Sequence, residues 1–423
     1  MRPTLVELAQ RATAVGDALL ESDDALGATA LVAADVLSCV YLGRTHPTVR
    51  RLLASQEHLG NSGAWEPLAS PTTPRGRVDA LTVDVTAAHI DEMDPVHPLS
   101  GTVPGAVVVP AAFHAGAAAG ASGIRFLGAV AAGYEVTAAA SLMLGGSSLY
   151  RKAWWPAAVA GRLGSAMAVA YTLGLGIDQT VNALALATAS AGGLLSADIF
   201  ADSHYVLLGD AASAGAQAAY RAASGLRGSP TLLDKPARRA FDGEPVPTSS
   251  DLPHVLKGMH KEFPCATPLQ GVIHGLLAMG GPAAVNSAVS IDVKLPAPTL
   301  AFVSCDQVVD GPPEAAASLA HAIGAVARDR AHDVEFFRAA DSALSYRHRL
   351  TLSPSKDASI ELSLTFPEGE RRVVQPLHDP ECPEALIARR NRALFGNGNR
   401  WSSLAGLLVT GADLAVLRAV LAF

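Results

Sequence analysis

The sequence is short of aromatic residues and of charge. Phe, Trp and Tyr make up 5% of the 423 residues, and Asp, Glu, Lys and Arg 17%. Ordinary globular domains carry roughly 25% charged residues. A core without aromatics is built from Ala, Val, Leu and Gly, and such small side chains let helices approach closely. So little charge implies much buried surface, in a core, in a subunit interface, or in both. A homodimer is the expectation. The net charge is −7 and no basic stripe is visible, which excludes nucleic acid as a natural partner. Cysteine is scarce as well. Cys39, Cys265, Cys305 and Cys382 are widely spaced and form no CxxC pair, which fits reduced thiols in a cytoplasmic protein. The N-terminal "MRPTLVELAQRATAVGDALL" has the pattern of an amphipathic helix without the apolar centre of a secretory signal. The apolar run 105–121 is interrupted by Pro110 and His114 and is too short for a membrane span.

What is present divides in two. Up to about residue 265 the chain reads as helix after helix, at 23–43, 105–121, 124–143, 157–173, 178–194 and 209–225. These segments are apolar all round, as buried helices are, and the breaks between them are Gly- and Ser-rich. After about residue 285 the period shortens. "VSIDVKL" (289–295), "YRHRLTL" (346–352) and "SIELSLTF" (359–366) alternate apolar with polar residues, the pattern of half-buried strands. "FPEGERRVV" (366–374) reads as a hairpin connection, 312–330 as a helix with a proline start, and 403–423 as a further apolar helix. The predicted architecture is mainly α. A large all-helical domain spans 1–268 and 400–423, and a smaller α+β domain spans 269–399.

Three stretches concentrate chemistry. "HIDEMDPVHP" (89–98) packs five ionisable side chains into ten positions. A helix through 84–93 would place Asp91 and Asp94 on one face, with Pro95 ending it and His97 entering a loop. Two carboxylates and an imidazole there suit acid–base work; the same set could hold a hard divalent cation or be a solvated helix end. "ADIFADSHYVLLGDAASAG" (197–215) places His204 before a helix opening near Gly209, where an anion would be favoured. "HKEFPCATPLQ" (260–270) sets Lys261 at the domain boundary, suited to a carboxylate as a mobile point charge.

The order of these stretches resembles the MmgE/PrpD family, which includes 2-methylcitrate dehydratase, cis-aconitate decarboxylase and iminodisuccinate epimerase. The family's DxxD–HP segment and following alanine helix are similar to "DEMDPVHPLSGTVPGAVVVPAA". Its GYEV element resembles "GYEVTAAASLML" (133–144), its aromatic–His–Pro segment "WWPAAVAGRLGSA" (154–166), its lysine-bearing segment "HYVLLGDAASAG" (204–215), and its K-x-Y-P-C segment "KEFPC" (261–265). The resemblance implies a dimer with a helical domain and an α+β lid, the active site in the cleft between them, and chemistry without a metal or organic cofactor. It also implies roles for Asp91, Asp94, His97 and Lys261.

The departures from the family pattern are chemical. Pro95 stands for a threonine, Trp155 for a histidine, Ala157 for a threonine, His204 for a lysine, Leu269–Gln270 for a Thr–His pair, and His321 for a lid tyrosine. Trp155, Leu269 and Gln270 are therefore expected to line the substrate. A site with fewer cations and more apolar surface suits a small molecule with fewer carboxylates. The expected activity is a cofactor-independent lyase or isomerase: dehydration, decarboxylation or epimerisation. Catalysis is assigned to Asp91, Asp94, His97, His204, Lys261 and His321. Metal binding is not expected, since no second histidine stands at ligand spacing on one helix. A cyclase templating ring closure, or a non-catalytic binding protein on the same fold, is the alternative.

Overall fold

The computed structural model describes the chain apart from residues 1–3, 61–62, 71–73, 196–200, 247–252, 304–308, 310, 342–345, 347–348, 358, 377–381, 397–399, 411–413 and 415–423. It is mainly helical, with one small sheet. Helices Asp23–Gly43, Arg77–His89, Pro104–Ala119, Gly123–Leu144, Pro156–Thr172 and Asp202–Ala223 pack on one another around a core made largely of Ala and Val. Their starts follow local chemistry. Ser22 and Ser122 accept hydrogen bonds from first-turn amides, and Pro104 and Pro156 occupy the first helical turn. Pro110 does not break its helix, which runs unbroken to Ala119.

Small residues set the helix spacing. A methyl group on Gly164 would lie 2.9 Å from the Gly133 carbonyl oxygen, and one on Gly209 would lie 2.5 Å from that of Thr82. Gly209 thus lets helix Asp202–Ala223 press against helix Arg77–His89. Thr82 and Ser213 share a 2.7 Å hydroxyl hydrogen bond at the same contact. Helices Asp23–Gly43 and Gly123–Leu144 have the length and apolarity to cross a membrane, but 67% and 94% of their most apolar windows are buried inside this fold.

The second core begins at Phe263. It joins helices Thr267–Ala278 and Leu319–Ala327 to a four-stranded sheet. Strands β1 (Ser290–Leu295), β2 (Leu350–Pro354), β3 (Ser359–Phe366) and β4 (Gly369–Pro376) lie in the order β2-β1-β3-β4. β1 runs parallel to β2 and antiparallel to β3. Ile291, Val293 and Leu295 of β1 and Ile360, Leu362 and Leu364 of β3 are fully buried, as period-2 alternation requires. A two-residue turn, Pro367–Glu368, joins β3 to β4, with Gly369 at φ +144°. The predicted helix over 312–330 is two helices, Pro312–Ala317 and Leu319–Ala327, with Ser318 capping the second.

Leu404, Leu408 and Leu414 pack into the helical core, while most of the predicted terminal helix lies outside the described residues, as do residues 347–348 of the predicted strand 346–352. Helix Pro383–Phe395 fills the seam. Its fully buried Arg390 hydrogen-bonds Asp35, the Lys261 carbonyl at 3.0 Å and the Met93 carbonyl at 3.3 Å. Asp35 also receives His260 Nδ1 at 2.5 Å.

Candidate active site

Helix Arg77–His89 ends at His89, four residues earlier than its sequence suggests. The stop is a left-handed residue: Glu92 has φ +54°, and its amide donates to the His89 carbonyl at 3.0 Å. A glutamate in this conformation is uncommon and strained. Here it folds the chain back, so that Glu92 Oε1 sits 3.5 Å from His89 Nε2. Asp91 and Asp94 therefore lie in a tight turn rather than on one helical face.

Helix Asp202–Ala223 begins at Asp202, so His204 is in its first turn rather than ahead of it. The close approach at Gly209 brings His204 Nε2 to 3.2 Å from His89 Nε2 and 3.7 Å from Glu92 Oε1. On the far side of His89, Nδ1 meets Asp94 Oδ1 at 2.8 Å. This carboxylate fixes a proton on Nδ1 and turns Nε2 toward His204. Trp155, at the start of helix Pro156–Thr172, stacks on His204 with ring centroids 4.2 Å apart. Lys261 is buried and completes the wall, with Nζ 3.0 Å from Glu92 Oε2 and 3.8 Å from Asp94 Oδ1.

The electrostatics separate the two imidazoles. Burial acts against a charged His89, but Asp94 and Glu92 outweigh it and raise its pKa. For His204 burial prevails and the pKa is lowered. Burial opposes the charge on Lys261 too, yet Glu92 and Asp94 raise its pKa. Glu92 is held well below the usual range, with Lys261 and His89 overcoming its burial. The wall thus sets a His89 whose charged form is favoured beside a His204 whose neutral form is favoured.

These four side chains face a cavity of about 240 Å³ between the helical core and the lid. Apart from Thr267 and Thr299, its other walls are mainly apolar: Val103, Tyr150, Trp155, Leu195 and, from the lid side, Phe302. Phe302 meets Tyr150 edge to face at 4.6 Å.

Several residues singled out in the sequence lie elsewhere. His97 does not line the cavity. Backbone pairing of Val96 with Met259 and of His97 with Thr102 makes this segment extended, so Val96 and Pro98 face the cavity and His97 faces away. Its Nδ1 meets Ser100 Oγ at 2.8 Å, and its ring packs against Tyr134 and His254. In this decapeptide the carboxylate-bound histidine is His89, not His97. Asp91 is held by Arg338 of the lid. His321 is buried in the lid core against Phe336 and Phe337. Leu269 is also a lid-core residue. Gln270 braces the FPC turn rather than the substrate: its Oε1 accepts from the amides of Glu262 and Phe263, and its Nε2 donates to the carbonyls of Phe263 and Cys265. His204, Lys261 and Trp155 do face the cavity, and Asp94 acts on it through His89. The sequence reading passed over His89 and Glu92, although their i, i+3 spacing lay in the same acidic decapeptide.

Residues 9–241, more than half of the chain, match the model of the MmgE/PrpD N-terminal domain. The chain belongs to the MmgE/PrpD family. That family includes lyases and dehydratases, which supports an enzyme of this broad type. The matched stretch carries His89, Glu92, Asp94, Trp155 and His204, while Lys261 lies beyond it. No curated protein matches the chain.

Proposed function

We propose that this MmgE/PrpD protein is a lyase or isomerase that moves a proton next to a carbonyl or carboxylate. Water or carbon dioxide then departs, or a stereocentre inverts. The observation that carries the reading is the His89–His204 pair, 3.2 Å apart on the cavity wall, with Asp94 behind one ring. Environments that drive two neighbouring pKa values apart supply an acid and a base. His204, whose neutral form is favoured, takes the proton, and His89, whose charged form is favoured, returns one. Lys261 supports negative charge that grows on the substrate oxygen.

The walls argue for the substrate. A cavity of about 240 Å³ falls below the roughly 300–1,000 Å³ of drug-sized pockets, so the substrate is small. Lys261 is the only Lys or Arg among the described lining residues, and Glu92 and Asp94 already balance it. Tyr150, Trp155, Leu195 and Phe302 supply apolar surface instead. A substrate with one carboxylate or carbonyl and an apolar remainder fits better than a tricarboxylate. The same apolar walls suit a chain folded for ring closure, so cyclisation is the second reading. A cytoplasmic homodimer is part of the proposal, supported by the low charge content.

Deuterium exchange tests the reading without the natural substrate. The protein is incubated in D₂O with 3-hydroxybutyrate and crotonate as monocarboxylate probes, and with citrate and cis-aconitate as tricarboxylates. Exchange at carbon should favour the monocarboxylates and fall roughly 100-fold or more in His204→Ala. Absence of exchange with every probe, or exchange that survives in His204→Ala, overturns the proposal.

A further inference from the structure

The geometry points to a metal site: we infer that His89, Glu92 and His204 bind a divalent late transition ion, zinc or cobalt, at the cavity wall. His89 Nε2, His204 Nε2 and Glu92 Oε1 form a near-regular triangle with edges of 3.2, 3.5 and 3.7 Å. The point equidistant from all three lies roughly 2 Å from each, the length of a zinc bond to imidazole nitrogen or carboxylate oxygen. All three residues are buried. Two imidazoles and one carboxylate are ligands for zinc or cobalt, whereas magnesium and calcium take oxygen donors.

The surroundings are those of a ligand set. Asp94 Oδ1 accepts from His89 Nδ1 at 2.8 Å, the carboxylate–histidine arrangement that orients a metal-binding ring and strengthens its free nitrogen as a donor. Glu92 divides its oxygens: Oε2 faces Lys261 at 3.0 Å and Oε1 faces the two rings. Two Nε2 atoms and Oε1 converge on one point. A cation at the centre satisfies all three at once.

All three ligands line the cavity, so the fourth position opens toward the substrate. There the ion would take a water, carbonyl or carboxylate oxygen. It would add positive charge to that of Lys261, which Glu92 and Asp94 already engage. An ion held here occupies the same ring nitrogens that acid–base chemistry uses. The loaded and metal-free proteins are therefore different chemical states, and the inference does not depend on the proton-transfer proposal.

The test reads binding, not turnover. Full-length protein stripped with chelator is titrated with Zn²⁺ by calorimetry and with Co²⁺ by visible absorption. One equivalent should bind at micromolar affinity or tighter, with the d–d bands of a four- or five-coordinate cobalt centre. Glu92→Gln, which keeps the side-chain shape, and His204→Ala should each weaken binding roughly 100-fold, with thermal melts confirming that both remain folded. His332→Ala should change nothing; it tests a separate cluster in which His332 and His274 approach Glu262 at 2.7 and 3.4 Å. No saturable binding in the wild type, binding retained in both ligand variants, or binding lost in His332→Ala overturns the site. Deuterium exchange by the stripped protein judges the proton-transfer proposal separately.

Discussion

Arg338 grips Asp91 with two parallel hydrogen bonds, Nε to Oδ1 at 2.8 Å and Nη2 to Oδ2 at 2.6 Å. The pair is largely shielded from water and ties the lid helix Val334–Ala339 to the turn that carries Glu92 and Asp94. Removing Asp91 leaves the shielded Arg338 with only the exposed Glu335 as a carboxylate partner among the described residues. Asp91→Ala should therefore cost about 3–5 kcal/mol, and Asp91→Ala with Arg338→Leu together should cost less than Asp91→Ala alone. Denaturation midpoints of the three proteins decide it; a double variant worse than the single one removes the argument.

Turnover separates the site built in space from the one suggested by sequence. His204→Ala and His89→Gln should each lower kcat roughly 100-fold or more. His97→Asn and His321→Asn should leave it within a few-fold. Steady-state rates on variants shown to be folded provide the check. A His97 variant as crippled as the His204 variant would return the chemistry to the segment facing Tyr134.

Stability should weaken in mild acid because of His97. Burial, with help from His254 and Lys257, lowers its pKa to about 3, against about 6.5 in an unfolded chain. The neutral ring's contribution is complete above pH 6.5. As the pH falls toward 3, the unfolded chain takes up a proton that the folded one refuses, at up to about 1.4 kcal/mol per pH unit. His254, also lowered chiefly by burial, adds to the same slope. His97→Asn should flatten the decline between pH 6 and 4; an unchanged slope in denaturant titrations would remove His97 as its source.

Gly209→Ala probes how the two histidines meet. The added methyl group would sit 2.5 Å from the Thr82 carbonyl oxygen, so the helices must separate. Overpacking of this kind costs about 1–3 kcal/mol, and it moves His204 away from His89. Melting point and turnover should fall together, with turnover falling further. Wild-type turnover in this variant would show that the helix spacing is not what aligns the rings.

Light scattering at micromolar concentration should report a dimer. The expectation rests on the sparse charge of the sequence; a stable, soluble monomer would contradict it.

Helices and strands were legible where periodicity had one dominant cause. The alternation of "SIELSLTF" gives β3 with its ends correct, because one face packs on the lid helices and the other does not. The helix through 84–93 was overextended, because a left-handed Glu92 carries none of the glycine or proline marks that usually announce a stop. Lys261 and His204 could be found by matching segments to a family pattern. His89 could not be ranked above His97, because both stand in the same decapeptide, and only the backbone pairing with Met259 and Thr102 decides which ring faces the cavity. The roles of Gln270 and Arg390 were equally hidden, since each acts on main-chain atoms that no side-chain motif records.

Lys261 and Glu262 are neighbours that look in opposite directions. Lys261 reaches into the helical half, to Glu92 and Asp94. Glu262 reaches into the other, to His332 at 2.7 Å and to Arg389 at 2.5 Å. Burial opposes the charge on Glu262, yet Arg389 and His332 lower its pKa to about 2, so it stays charged across the working pH range. One peptide unit therefore anchors a charged arm in each half. Any displacement of one half against the other would load both sets of ion pairs together, because a single peptide bond links them.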